Sequence, residues 1–430
     1  MANGFEHRFL WTWDHSTNWT DPPAAIQETG AANPYLKDAR IFVEDYTRLL
    51  DHMRELDLNG LIVWGLLRDS HGGIKAAARI LERGRRNGVR ILAGIGVNAY
   101  GGIYYEGRHP FNIRAYLKRR PRLAAVGPDG KRKADLLCPS RDENLAWYLK
   151  GMDWLFDALD LGGVNLETGD YGLCHCRECR ARRQRRGDAD PAAAFSVEDI
   201  GGFLRPVCER IRKRAPACLI TFATYIPPAG PACEKLALYL REFPDDVVPQ
   251  WTLTSLIDPG PRTPLSPRER ERGREVLAGL PQKAQVGFFH QGSQWHRNSR
   301  HEPVLRSMES AVALGKNLGL SGLITHGEVS NRDPAWLLNY LAFSRFTRTG
   351  RADHGVLAKA LDRFVGGLGE EYLSYLFAGD TRRPIAKALA RIRARRFLTR
   401  FPPRTQEHLL WWWLENELAR RLHLLSEWGT

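Results

Sequence analysis

The chain of 430 residues is long enough for a large barrel with an appendage, and its 43% hydrophobic and 10% aromatic content excludes general disorder. Its formal charge of +14 raises nucleic acid as a partner, but the basic residues are mostly arginines spread along the chain, with one dense run at residues 177–186. We therefore expect most of this charge to be solvated surface, with the remainder serving an acidic substrate or another polyanion.

The sequence predicts a soluble cytoplasmic protein with no membrane partner. No segment approaches the roughly 20 consecutive apolar residues of a membrane span. The first residues, MANGFEHRFLWTWD, lack the charged region and apolar run of a secretory signal. Seven cysteines, an odd number, fit reduced thiols better than a disulfide framework.

Short apolar runs alternate along the chain with longer amphipathic stretches, a pattern typical of repeated βα units and a parallel sheet. The predicted strands are Phe9–Trp13, Gly60–Trp64, Arg90–Gly96, Gly162–Leu166, Cys218–Ala223, Val247–Thr252, Gln285–Phe289 and Gly322–Thr325. They predict an α/β protein with a (β/α)8 TIM barrel over residues 1–350. An open doubly wound sheet is the alternative, but no glycine fingerprint for a dinucleotide follows the first strand.

After Arg351 the strand signals cease, and three stretches at residues 356–377, 384–401 and 405–425 have helical patterns. We therefore predict a helical C-terminal extension over residues 351–430. The run of three tryptophans at 411–413 is expected to pack this extension on the barrel rather than bind a ligand.

Polar and aromatic residues follow the predicted strands, at the barrel face where TIM-barrel chemistry lies. Taken singly, such an Asp usually caps a helix and such a His usually lies satisfied in the core. Their recurrence at successive strand ends instead predicts a pocket. The predicted binding residues are Trp13, Asp14, Arg68, Asp69, His71, Asn98, Tyr100, Tyr105, Trp251, His290, Trp295 and His326.

This mixture predicts an oligosaccharide or glycoside substrate, with acidic glycans among the candidates, because aromatic faces stack on sugar rings and the polar groups bind hydroxyls. Hydrolysis of a glycosidic bond needs a carboxylic acid and a second group that attacks, stabilises or activates water. Glu167 is the predicted acid, and Glu328 or Asp170 the predicted partner, although Asp170 could equally cap a turn. A carboxyl separation of about 5–5.5 Å would indicate a nucleophile, and one of about 6.5–9.5 Å a base.

Three cysteines, Cys174, Cys176 and Cys179, form a C-x-C-x-x-C motif whose thiolates could share one metal ion. A structural zinc site needs a fourth ligand. Cys138 is the candidate, with His175 as the alternative. The alternative interpretation is that these residues are four unrelated buried thiols.

The Cys-Pro-Ser element at residues 138–140, the fourth-strand acid and the C-x-C-x-x-C motif together resemble the zinc-bearing β-galactosidases of glycoside hydrolase family 42. The likeness covers roughly residues 138–186 and implies a structural zinc held by Cys138, Cys174, Cys176 and Cys179 beside a barrel active site. It also implies that Glu167 is the general acid/base. The chain departs from the family in two places: Leu166 separates Asn165 from Glu167, and the seventh-strand segment VGFFHQGSQWH has no carboxylate where the family has its nucleophile.

Three other readings stay open. A neighbouring substrate group could serve as the nucleophile with Asp170 orienting it, which would confine activity to N-acetylated sugars. The chain could instead be a carbohydrate-binding protein without turnover. A nucleic-acid-binding protein with a structural zinc site is disfavoured, because the basic residues are not interleaved with the aromatic ones. The sequence leaves a homo-oligomer open.

Overall fold

The structure, a computed structural model, describes residues 4–21, 35, 37–167, 172–185, 197–223, 225–257, 266–290, 302–379 and 381–427. Ten strands occur in these ranges: β1 His7–Trp13, β2 Gly60–Trp64, β3 Arg90–Gly96, β4 Ala124–Val126, β5 Arg132–Leu137, β6 Gly163–Glu167, β7 Leu219–Ala223, β8 Val248–Thr252, β9 Val286–Phe288 and β10 Gly322–His326. Eight of them form a closed parallel barrel in the order β1-β10-β9-β8-β7-β6-β3-β2. The predicted TIM barrel is confirmed.

All eight predicted strands occur, with ends that differ by at most two residues. The unpredicted pair is β4 and β5, an antiparallel hairpin inserted between β3 and β6. Its first strand has only three residues, too few to show a periodic pattern.

The helices follow the strands as expected for βα units. They are α1 Ala39–Glu55, α2 Gly73–Arg86, α3 Ile113–Arg119, α4 Asp142–Ala158, α5 Arg177–Arg185, α6 Val197–Arg214, α7 Gly230–Leu240, α8 Thr254–Ile257, α9 Pro267–Ala278, α10 Leu305–Asn317, α11 Pro334–Thr349, α12 His354–Val365, α13 Gly369–Leu376, α14 Arg382–Arg395 and α15 Gln406–Glu427. No helix among the described residues is long and apolar enough to cross a membrane.

Alternate residues of each strand point into the barrel and toward the helices. In β1, Phe9, Trp11 and Trp13 belong to the cluster inside the barrel, whereas Leu10 packs in the outer core. The same alternation in β6 sends Val164 and Leu166 outward to that core, so Gly163, Asn165 and Glu167 face inward. Strand register therefore decides which side chains reach the C-terminal mouth of the barrel.

Helices α12–α15 follow the barrel, and α15 packs on α11 of the last βα unit as well as on α12 and α14. Trp411 is fully buried and stacks on Phe397, with ring centroids 4.1 Å apart. Trp412 is exposed, so the three tryptophans do not act as one packing unit. The division into domains at residue 350 stays a prediction.

Candidate active site

Glu167 is the last residue of β6, and its side chain reaches the mouth with only 2% of its surface exposed. Its strand neighbours at the same level are Gly96 and Ala223. The Tyr225 hydroxyl donates a hydrogen bond to Glu167 Oε1. Tyr225 has a φ of 53°, in the left-handed region that non-glycine residues rarely adopt. The carboxyl group is thus held by a residue in an uncommon backbone conformation.

A layer of buried polar groups lies directly below Glu167. Asn165 Nδ2 donates to Thr221 Oγ1 at 2.7 Å and to Gln250 Oε1 at 3.0 Å. Asn165 Oδ1 accepts from Trp64 Nε1 at 3.2 Å. This network joins β2, β6, β7 and β8 and uses both amide donors of Asn165. It was not predicted, and the available signal was that Asn165 stands two residues before Glu167 and so shares its face.

Glu328 follows β10, four strands from β6 in either direction around the barrel, so it belongs to the opposite wall. Its side chain is 2% exposed, and Oε1 accepts from the Trp13 backbone N–H at 3.0 Å. Its Oε2 lies 3.5 Å from His326 Nδ1. His326 Nε2 is in turn 3.1 Å from Nδ1 of the half-buried His290. Glu328, His326 and His290 therefore lie next to one another in this wall, although His326 Nδ1 makes no hydrogen bond with the described residues.

Asp14, fully buried after β1, forms an ion pair with Arg68, whose Nε lies 2.7 Å from Asp14 Oδ2. Its carboxyl group lies against Gly65, where an added Cβ would come within 2.2 Å of the carboxyl group. Burial by itself raises the pKa of Asp14, but the Arg68 charge and hydrogen bonds from His15 and Arg68 lower it to about 2. Asp14 is therefore a carboxylate at neutral pH.

His71 lies on the other side of Asp14, with Nδ1 3.7 Å from Oδ2 of that carboxylate. Burial lowers the pKa of His71 to about 4 despite the opposing effect of Asp14. The Tyr35 hydroxyl is hydrogen-bonded to His71 Nδ1 at 2.6 Å. His71 is therefore neutral at pH 7. It packs against the Asp14 carboxylate and adds no positive charge to the mouth of the barrel.

Four aromatic residues form one wall of the mouth. Trp13 is at its centre, with ring centroids 5.2 Å from Trp64, 5.9 Å from Tyr100 and 5.6 Å from Tyr105. The Arg68 guanidinium lies over Tyr105, 4.9 Å from its centroid. Edge-to-face and tilted packing of this kind fixes the rings relative to one another. We call Trp13, Trp64, Tyr100 and Tyr105 the aromatic wall.

Some predicted binding residues are not brought to the mouth. Trp251 is fully buried in the outer core, where Nε1 donates to Gln285 Oε1 at 3.0 Å. It differs from the prediction because β8 directs Val248 into the barrel, so Trp251, three residues later, faces the helices. Asp69 is exposed and accepts from Tyr104 OH and from the Arg108 N–H.

Asn98 lies beside the mouth, on the loop after β3. Its backbone oxygen accepts from the Leu137 N–H at 2.8 Å, and its buried Oδ1 has no hydrogen-bond partner among the described residues. Asp170 and Trp295 lie outside the described residues.

The sulfurs of Cys138, Cys174, Cys176 and Cys179 all lie within 4.8 Å of one another. Cys138 Sγ is 3.6 Å from Cys174 Sγ and 3.8 Å from those of Cys176 and Cys179. Tetrahedral zinc with Zn–S bonds of about 2.3 Å separates its sulfurs by about 3.8 Å. The four cysteines lie close enough to bind one metal ion, and His175 is not needed as a ligand.

The cluster is built by the β4–β5 hairpin and the start of α5. Cys138 directly follows β5, and Cys179 lies in the first turn of α5. Val126 of β4 donates its N–H to Cys174 Sγ at 3.4 Å. The Ser140 hydroxyl lies 3.0 Å from Cys179 Sγ, and Arg182 Nη2 donates to the same sulfur at 3.6 Å. Such donors favour thiolates, the form in which cysteine binds metal.

No protein-family model and no curated protein matches this chain. Solved structures do match it in fold. The Thermobaculum terrenum O-GlcNAc hydrolase mutant has 10% identity and a TM-score of 0.54, over 99% of this chain and 83% of that one. A GH138 enzyme targeting pectin rhamnogalacturonan II has 12% identity and a TM-score of 0.52, over 90% of this chain and 54% of that one.

The barrel resembles those of glycoside hydrolases. At these identities the likeness concerns the fold. The particular resemblance to family 42 stays a prediction.

Proposed function

We propose that this protein is a glycoside hydrolase in which Glu167 is the general acid. The observation that carries the proposal is a nearly buried carboxyl group at a strand end, bonded to the Tyr225 hydroxyl inside a mouth lined by the aromatic wall. A general acid must hold its proton at a fixed place beside the leaving oxygen. The hydrogen bond fixes the position of the carboxyl group, and near-complete burial keeps bulk water away from it.

Glu328 is the proposed second carboxylate. It belongs to the wall opposite Glu167, as expected for two groups that act on either side of one bond. Glu328 Oε1 accepts the Trp13 N–H, and Oε2 faces His326, which lies next to His290. In this proposal His290, the half-buried last member of this series of three residues, contacts the sugar or the attacking water. Asp170, three residues after Glu167, is the alternative partner.

The aromatic wall and Arg68 are proposed to bind the sugar. Tyr105 is partly exposed, Trp13 packs behind it, and Arg68 is held over the Tyr105 ring by the buried Asp14. An ion pair anchored in this way keeps a guanidinium in one orientation, which suits directional hydrogen bonds to hydroxyls.

The cysteine cluster is proposed to hold a structural zinc ion. The sulfur separations suit a tetrahedral site, and four thiolates leave no open position for a substrate or water. Its role would be to fix the hairpin to the start of α5. Leu137, next to Cys138, donates its N–H to the Asn98 oxygen, and neighbouring Val97 donates to the Glu167 oxygen at 2.7 Å. These two backbone hydrogen bonds connect the cysteine cluster to Glu167.

The experiment that tests the catalytic proposal is hydrolysis of nitrophenyl glycosides, neutral, acidic and N-acetylated, by wild type and Glu167→Gln. We expect the variant to lose about 10²–10⁴-fold in turnover, as is typical on removal of a general acid, with an unchanged unfolding temperature. Retained turnover would exclude Glu167 as the acid. Activity confined to N-acetylated sugars would favour the substrate-assisted reading with Asp170.

Calorimetry with the same sugars separates an enzyme from a binding protein. Product formation that accompanies binding supports the hydrolase. Tight glycan binding without product, in wild type and Glu167→Gln alike, would support the non-catalytic reading.

A further inference from the structure

A cleft of about 490 Å³ lies beside the barrel mouth, between the loop after β3, helix α3 and strand β5. We propose that this cleft binds a negatively charged sugar unit, bearing a carboxylate or a sulfate, of a glycan whose neighbouring unit occupies the mouth. The inference rests on the proposed hydrolase function and names its substrate class. It assigns the cleft a separate role from that of Glu167.

The cleft adjoins the aromatic wall, because two residues belong to both. Tyr100 and Tyr105 border the cleft, and their rings also pack on Trp13 as part of the aromatic wall. A sugar chain that crosses Tyr105 would therefore leave the mouth and enter the cleft. Tyr105 also packs on the Arg68 guanidinium, whose charge is compensated by Asp14 and Glu106.

The cleft has an excess of positive charge. Four basic residues and two acidic ones line it: Arg108, Arg114, Lys118, Arg119, Glu106 and Asp135. Glu106 is paired with Arg68, and Asp135 lies 3.1 Å from Arg114.

Three exposed cations therefore remain for a ligand. Arg108, Lys118 and Arg119 have no carboxylate within 4.0 Å among the described residues. One exposed cation contributes little to binding, but several around a concave surface produce a focused potential that concentrates anions.

The walls of the cleft are held in place by contacts within the protein. Asn112 Nδ2 donates to the backbone oxygens of Tyr104 at 2.9 Å and Tyr105 at 3.0 Å, and its Oδ1 caps α3 through the Ala115 N–H at 3.0 Å. The Arg68–Glu106 pair ties the same loop to the segment after β2. A backbone held in this way lowers the ordering cost of binding.

Carboxylate and sulfate groups share the relevant chemistry, since both accept paired hydrogen bonds from arginine. A volume of about 490 Å³ is within the range of small-ligand sites, about 300–1,000 Å³, and suits a short run of sugar units. The adjoining aromatic wall favours a glycan over a nucleic acid, because it belongs to the proposed sugar site.

The test uses the triple variant Arg108→Gln/Lys118→Gln/Arg119→Gln. Its matched control is Lys75→Gln/Arg79→Gln/Lys213→Gln, which removes the same charge from exposed positions on α2 and α6. Calorimetry compares trigalacturonate, a sulfated trisaccharide and a neutral trisaccharide of the same size, at low and high salt. Hydrolysis of a neutral nitrophenyl glycoside is followed in parallel.

We expect wild type to bind one anionic trisaccharide at least about tenfold more tightly than the neutral one, a preference that falls with salt. The triple variant should lose that preference, while the control retains it and neutral glycoside hydrolysis stays unchanged. The better anionic probe identifies the group as carboxylate or sulfate. Equal loss in both variants, or no anionic preference in wild type, would overturn the inference.

The outcomes separate this inference from the hydrolase proposal. If Glu167→Gln abolishes turnover while the cleft variant binds like wild type, the cleft assignment fails and the hydrolase stands. If anionic binding depends on the cleft but Glu167→Gln keeps its turnover, the hydrolase assignment fails instead. Stronger binding of a single-stranded oligonucleotide of equal charge, lost in the triple variant, would assign the cleft to nucleic acid and overturn the sugar reading.

Discussion

The Arg68→Gln substitution should destabilise the protein far more than an ordinary charge removal. Arg68 is the main compensation for Asp14, which is fully buried, and its removal leaves that carboxylate unpaired in the interior. Breaking a buried pair by removing one partner typically costs about 3–5 kcal/mol. The double variant Asp14→Asn/Arg68→Gln removes both charges together and should be more stable than the single variant.

The pKa of Asp14 gives an independent magnitude. It falls from 3.8 to about 2 in the folded protein, and because one pKa unit corresponds to about 1.4 kcal/mol, this carboxylate contributes roughly 2 kcal/mol to folding. Since the folded pKa is the lower one, that contribution is complete above pH 3.8 and disappears as the pH falls through about 2. Removal of Arg68 should therefore cost at least this amount at pH 7.

The assay is urea unfolding at pH 7 of wild type, both single variants and the double variant, analysed as a double-mutant cycle. We expect the free energy of unfolding to fall by about 3 kcal/mol or more in Arg68→Gln, with recovery of part of this loss in the double variant. A loss below about 1 kcal/mol, the value typical of surface pairs, would refute the view that Asp14 depends on this partner.

Three further predictions concern His71, Tyr225 and the cysteine cluster. Burial lowers the pKa of His71 from 6.5 to about 4. The free energy of unfolding of wild type should therefore fall by about 3 kcal/mol relative to that of His71→Asn as the pH falls across that interval, measured by urea unfolding at several pH values. Equal dependence of the two free energies on pH would contradict a neutral buried imidazole. Tyr225→Phe removes the hydroxyl that holds Glu167, and we expect about a tenfold lower kcat with little change in KM, since only positioning is lost; an unchanged kcat would show that the bond is dispensable. Metal analysis should find about one zinc per chain in wild type. Cys179→Ser should lose the zinc and unfold several degrees lower, whereas Cys233→Ser, whose thiol lies outside the cluster, should keep it. Wild type that contains no metal after expression with zinc supplied would exclude the site.

The barrel could be predicted because each buried strand is a short apolar run that a helical pattern separates from the next. Glu167 could be placed at a strand end for the same reason. Trp251 shows the limit of that reading: β8 is buried on both faces, so the sequence VPQWT alone does not reveal which of its residues face the barrel interior.

The contacts that complete the candidate site are distant in the sequence. Asn165 bonds to Thr221 and Gln250, and Asp14 to Arg68. Only strand order and register determine these pairings, and no local pattern encodes them. The β4–β5 hairpin was missed for a related reason, because its core is small and includes three of the clustered cysteines.

The short stretch between Glu167 and Cys174 has a consequence for protein engineering. Glu167 is held by strand pairing and the Tyr225 hydroxyl, and Cys174 belongs to the cluster of four thiols. Cys138 and Val126, which contact Cys174, come from a hairpin that precedes β6 in the chain. A loop exchange or insertion in this region would therefore have to transfer the hairpin, β6 and the start of α5 as one cassette.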